Sequence, residues 1–286
     1  MVLKNFHHRS SRLISGRKMV FFSASVALFI GVIALAAPVL APHDPTAVDL
    51  AAKLKYPSFA YPFGTDHLGR CILSRIIFGA RVSLKAAAIV VVISASTGTL
   101  LGVISGYFGG LIDSLTMRVV DIMLAFPSII FALAIVAALG PGLENVIIAL
   151  AFVHWTTYAR LARSEVLAIK EREFVESARA LGNGHLRILL QYVFPNIAAS
   201  IVVMATLDIA HVILSAAGLS FLGLGAQPPV PEWGAMVNEG REFIRTAPHL
   251  TVFPGLAIMV TVLSLNMLGD GIRDALDPRT QNRKVE

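Results

Sequence analysis

Residues 19–40 carry no charged side chain, and apolar runs of comparable length recur through most of the chain. A helix needs about 20 apolar residues to cross a hydrocarbon core. Inside lipid each backbone N–H and C=O must find its partner within the segment, so such runs are helices unless strands close into a barrel. The expectation is an all-α polytopic membrane protein with six transmembrane helices. Only 15% of the residues are charged, against about 25% in a soluble domain, which leaves no room for a second, soluble domain. The net charge of +6 reflects Lys and Arg collected in cytoplasmic loops rather than a nucleic-acid partner. Cys71 is the single cysteine, so no intrachain disulfide forms.

The chain divides by charge. A cytoplasmic N-terminal tail, 1–18, holds Lys4, Arg9, Arg12, Arg17 and Lys18 without an acid. Basic followed by apolar resembles a signal peptide, but the run over 19–40 exceeds an h-region of about 7–15 residues. It reads as a retained anchor with the N-terminus inside. An extracytoplasmic segment, 41–82, is rich in Pro and Gly, and its end, Ile72 to Leu84, is amphipathic and expected along the interface. A core of five helices follows over 83–272, interrupted by a cytoplasmic loop at 159–195, and a cytoplasmic tail, 273–286, closes the chain. Helix two is expected over Leu84 to Gly106, helix three over Arg118 to Leu139 with a kink at Pro127, and helix four over Asn145 to Tyr158. Helix five follows Pro195, and helix six covers Leu250 to Leu268. Most of the 24 basic residues fall in the inner segments, as the positive-inside rule requires. Lys53, Lys55, Arg70, Arg75 and Arg81 lie outside and are the discord.

Gly98, Gly102 and Gly106, with Gly110 next, are four apart and share one helical face. In lipid such a face lets backbones approach; it serves helix packing or lines a path. Arg118 and Asp121, three apart, are placed to pair.

The segment from Tyr158 to Asn196 is a basic island between apolar runs. Leu161 to Leu181 has charged and apolar positions at helical spacing. Gly182 is a C-cap, and Asn183 caps a second helix carrying Leu186, Leu189, Leu190 and Val193 before Pro195. Two short helices joined by a sharp bend, polar on one face and apolar on the other, form either an ordinary loop or a docking hairpin. Small residues at Ser177, Ala178 and Ala180 would let a partner's groove come close.

Glu176, Ser177 and Ala178, then Gly182, then Pro195 resemble the EAA loop of permease subunits in binding-protein-dependent ABC importers. Ser177, Tyr192 and Phe194 depart from the usual Ala, Ile and Leu but keep size or apolarity. FGTDHLGRCILSRIIFGARVSL, RVVDIMLAFPSI, KEREFVESARALG, LSFLGLGAQPPVPEWGAM and GIRDALDPR are similar to the dipeptide, oligopeptide and nickel group, specifically its second permease subunit. Cys71 stands where that group has Asp. The resemblance implies a type I ABC importer permease fold in the bacterial inner membrane with both termini cytoplasmic. It implies as partners a second homologous permease chain, cytoplasmic ATPase subunits, an extracytoplasmic solute-binding protein and membrane lipid, with no nucleic acid. It assigns the ATPase-coupling loop to Glu176, Ser177, Ala178, Arg179, Ala180, Leu181, Gly182, Asn183, Gly184 and Pro195. No GxxxxGK[ST] stretch is present to cradle phosphates, so ATP is hydrolysed on another chain; this one is not an enzyme and needs no cofactor.

Within the spans, Asp208 and His211 share a face, with Ser215 a turn on. Ionisable groups there line a path or pair between helices. His154 and Trp155 read as interfacial aromatics. His67 and Cys71 have metal-ligand types at helical spacing but lack a third partner, so no metal is expected. Two other functions compete. An intramembrane protease would use Ser220 with His211 or His249, which nothing orients. A secondary transporter would carry more intramembrane charge and an inverted repeat.

Overall fold

The computed structural model describes residues 2–276, the side chains of residues 2–18 and 276 excepted. Of the basic tails expected at 1–18 and 273–286, the side chains of the first and residues 277–286 of the second lie outside the described residues. Among those residues the structure is helical; Thr65 and Cys71 form an isolated antiparallel bridge.

Helix α1 covers Val2–Leu35. Its continuation to residue 40 bends at Ala36, where Pro38 stands in the first turn of the short helix Ala37–Leu40. Helix α2, Ile72–Phe108, is unbroken. The amphipathic stretch expected along the interface is thus the first turns of this long helix, because no Gly or Pro at residues 80–88 interrupts the i→i−4 ladder. Gly109 and Gly110, with φ of 66° and 59°, end it and reverse the chain, left-handed conformations that cost glycine little.

Helices α3, Gly110–Leu124, and α4, Ser128–Leu139, meet at 89°. The expected kinked helix three is therefore broken. Pro127 has no N–H to continue the ladder and disfavours helical backbone at Phe126; it caps α4 instead with φ −57° and ψ 124°. Helix α5 runs over Leu143–Ile169, well past the expected end at Tyr158. A short α6, Glu173–Ala180, precedes α7, His185–Phe221. The second short helix expected before Pro195 is the start of α7, because a π turn at Leu189–Val193 absorbs the donor that Pro195 lacks. Helices α8, Trp233–Gly240, and α9, His249–Leu276, complete the chain.

By length and composition α2, α7 and α9 can each cross a membrane, with α3 and α4 a fourth span if the bent pair counts as one. The apolar part of α1 covers Met19–Leu35, and α5 has an apolar middle with Glu144, Arg160, Arg163 and Glu165 towards its ends.

Three apolar clusters stack along the bundle. Trp233, Ile72, Met236 and Leu250 form one at the end bearing the segments 41–71 and 225–248, here the cap. Val90, Val136, Leu150, Val212 and Leu219 form the middle one. Val103, Val166, Val175, Ile188 and Ile197 form the third around α6. Large apolar side chains such as Phe21, Phe22, Leu28 and Phe29 lie on the outside of α1, as a lipid-facing helix requires.

The closest helix contact is α2 on α5. A Cβ at Gly98 would run into the Trp155 carbonyl oxygen and lie 2.7 Å from Tyr158 Cβ; at Gly102 it would meet the Ala159 carbonyl and lie 2.9 Å from Ala162 Cβ; at Gly106 it would be 3.0 Å from the Arg163 oxygen. Gly110 does not share this face, since the chain has already turned. Gly102→Val is expected to lower the stability of the purified chain by about 1–3 kcal/mol, read as a fall in melting temperature. Gly255→Val, where nothing lies within 4 Å, is the control that should leave it unchanged.

Candidate functional site

Helix α6 forms the arm of a hairpin hung between α5 and α7. Its amphipathic spacing decides which face turns in: Val175 is buried in the third cluster, and Ala178, three residues on, is buried on the same face. Glu176, Ser177, Arg179, Ala180, Leu181, Gly182 and Gly184 are exposed. Ala178 therefore belongs to the hairpin's own packing rather than to the outer face on which the sequence placed it with Ser177 and Ala180. The bend sits at Gly182, φ 80°, whose N–H donates to the Arg179 carbonyl at 3.0 Å. Asn183 does not cap the following helix: its Nδ2 donates back to the Ala178 carbonyl at 2.8 Å, closing the end of α6, and Gly184 takes the N-cap position. Leu181, Leu186 and Leu190 stand out from the hairpin at 83%, 69% and 60% exposure. That apolar surface beside exposed Glu176 and Arg179 is what a docking element offers a protein groove. Pro195 is exposed further along α7.

The hairpin is tied down by polar contacts. Lys170 Nζ donates to the Gly106 carbonyl at 3.0 Å, and Tyr107 Oη and His185 Nδ1 lie 3.0 Å apart. Arg163 binds both oxygens of Asp113, at 2.5 and 2.6 Å, and Ser200 donates to Glu165 at 3.0 Å. Asp121 pairs with Arg160 at 2.8 Å rather than with Arg118, because α3 lies against α5.

Asp208, His211 and Ser215 are not brought together. Asp208 is buried and faces α5, where His154 Nδ1 lies 2.8 Å from Oδ1 and Tyr158 donates to Oδ2 at 3.0 Å. His211 is exposed and Ser215 half-buried. Of the two readings of Asp208, the geometry is that of a satisfied pair between helices. Its partner His154 read only as an interfacial aromatic in the sequence; a spacing rule within one helix has no term for a neighbour 54 residues away.

A second site in the cap went unread. Arg70 Nε lies 2.6 Å from Asp66 and its Nη2 2.6 Å from Glu239. Arg75 binds the same carboxylates at 2.8 and 3.1 Å. Both arginines are buried, at 2% and 1% exposure. The signal was present as basic residues on the wrong side of the charge rule. Arg70 and Arg75 do not act as free outer charges, because two carboxylates neutralise them. Glu232 caps α8 through the amides of Gly234 and Ala235 at 3.0 and 2.9 Å and accepts from Ser83 at 3.2 Å. Cys71 is buried and His67 stacks on Phe243, so the two do not form a ligand pair. His67 instead lies with Asp66 and Glu239 in a group of ligand type, but both carboxylates are already engaged by guanidinium groups.

Comparison with known proteins bears on this arrangement. A family model described as binding-protein-dependent transport system inner membrane component matches residues 98–282. The chain is 48% identical over 250 residues to the dipeptide transport system permease protein DppC of Alkalihalophilus pseudofirmus, covering 87% of this chain and 82% of that one. It is 47% identical over 273 residues to the glutathione transport system permease protein GsiD of Escherichia coli O1:K1, covering 95% and 90%. Among solved structures, an inward-facing MetNI methionine ABC transporter aligns with a TM-score of 0.53 at 18% identity, over 72% of this chain and 98% of that one. At that identity it bears on the fold alone.

Proposed function

The chain belongs to the family of binding-protein-dependent transport system inner membrane components, as the permease subunit of an ATP-driven importer, and from that premise we propose that it forms half of a translocation path for short peptides. It is a multi-pass inner-membrane protein and works with an ATPase and a solute-binding protein. The relatives named for dipeptide and glutathione transport, at nearly half identity over most of the chain, are the observation that carries the peptide reading.

In this reading the hairpin end faces the cytoplasm, as do both termini, and the cap faces outward. The second half of the path is a homologous permease chain, and lipid surrounds the pair. Glu176, Ser177, Arg179, Ala180, Leu181, Gly182 and Gly184 form the face that seats in the ATPase, with Ala178, Asn183 and Pro195 holding its shape. Nucleotide and loaded binding protein then drive transport by preferring different states of the same bundle. His211 and Ser215 are offered to the path, while Asp208 positions α7 against α5. The five core helices over 83–272 act as one transport domain, with 41–82 as its outer segment.

Purifying the complex from membranes is expected to bring down a second permease and an ATPase, and vesicles containing it should take up a dipeptide or glutathione only with ATP inside. Uptake that continued after ATP depletion would replace this reading with a secondary transporter.

A further inference from the structure

Helix α2 is fastened at both ends, and by different parts of the chain. At the cap, Arg75 binds Asp66 and Glu239, Trp233 Nε1 donates to the Ile76 carbonyl at 3.0 Å, and Ser74 Oγ accepts from the His43 amide at 3.0 Å. At the hairpin, the Gly106 carbonyl accepts from Lys170 and Tyr107 meets His185. Lys170 lies just before α6 and His185 just after the Gly182 bend, so both legs of the hairpin attach to one helix end. Ser105 adds a bond to Asp113 at 2.5 Å, and Arg163 on α5 holds the same carboxylate.

Between Arg75 and Gly106 there is no proline and no break, a length of about 46 Å at 1.5 Å per residue. The glycine face bedded on α5 resists bending along the inner half. An unbroken helix fixed by charge-assisted bonds at each end moves as one body. This differs from coupling through neighbouring loose contacts, because both sites bias the same element.

We propose that α2 is a transmission rod: Lys170 and Tyr107 are positioning residues that make the hairpin move with it, and the Arg75–Asp66–Glu239 cluster makes the cap move with it. A loaded binding protein arriving at the cap thereby sets the hairpin against the ATPase. This rests on the importer reading above.

The test uses the complete importer reconstituted in vesicles, with ATPase measured with and without its binding protein loaded with dialanine or glutathione. Tyr107→Phe with Lys170→Met removes the two polar bonds between α2 and the hairpin, and Glu239→Gln loosens the outer fastening while keeping an acceptor oxygen. Each should assemble and retain wild-type basal hydrolysis but lose at least about fivefold of the stimulation. All three substitutions combined should be no worse than the more severe variant, since either cut severs the same rod. Distant, independent sites instead combine their losses, so a combined loss equal to the product would overturn the proposal. Stimulation within about twofold of wild type in the inner variant would also overturn it, as would a parallel fall in basal and stimulated rates, which marks failed seating of the hairpin. A wild-type complex without ATP-dependent uptake would instead remove the importer reading, and the rod with it.

Discussion

Replacing Gly182 by proline is expected to leave the chain in the membrane and abolish ATP-driven uptake. The bend needs φ 80°, and proline holds φ near about −65°. The substitution also removes the N–H that donates to the Arg179 carbonyl, so the end of α6 and the approach to α7 both change direction. Val175 and Ala178 are buried on α6 itself, before the bend, and the spans do not depend on the bend. Uptake should therefore fall to background while membrane insertion, read by yield in the membrane fraction, stays at wild-type level. Glu176→Arg probes the same element without touching the backbone, because Glu176 is exposed near the start of α6. Reversing the charge there opposes the helix dipole and the surface offered to the ATPase. Its expected outcome is hydrolysis uncoupled from uptake. Normal transport in both variants would remove the hairpin from the coupling role.

Arg75→Ala is the second large effect, and it falls on stability. Arg75 is buried at 1% and bridges Asp66 to Glu239; without it two carboxylates share the single guanidinium of Arg70. Removing one partner of a buried ionic group costs about 3–5 kcal/mol, since the remaining charge is left uncompensated. The expected readout is a lower melting temperature together with faster proteolysis within 41–71, the segment that the cluster ties to α8. Arg160→Ala is the contrasting case: the Arg160–Asp121 pair is exposed on both sides, and such pairs contribute about 0–1 kcal/mol. Equal effects of the two variants would show that burial does not set the weight of these charges.

Much of this arrangement was legible in the chain. Hydropathy gave the class, the glycine spacing marked the face of α2 that meets α5, and Gly182 marked the bend. Helix ends were less legible, because α2 and α5 continue beyond their apolar runs once neighbouring elements bury their polar ends. Pro127 announced a disturbance but not its size: a kink and an 89° break have the same sequence signature, and the choice depends on what α3 and α4 pack against.

Apolar length and the lipid's demand for internal hydrogen bonding were sufficient to make this chain a helical membrane protein, and the spacing from Glu176 to Pro195 was sufficient to mark the hairpin to which we assign the coupling role. Partner choice was decided only in three dimensions. Asp208 had a neighbour of the right type at His211 yet pairs with His154 and Tyr158; Asp121 had Arg118 yet pairs with Arg160; Arg70 and Arg75 find Glu239 more than 160 residues away. Periodicity reports which side of a helix a residue occupies. Which charge lies opposite is set by the helix packed there, and burial makes that pairing obligatory, because an unpaired charge in the interior costs more than the fold can supply.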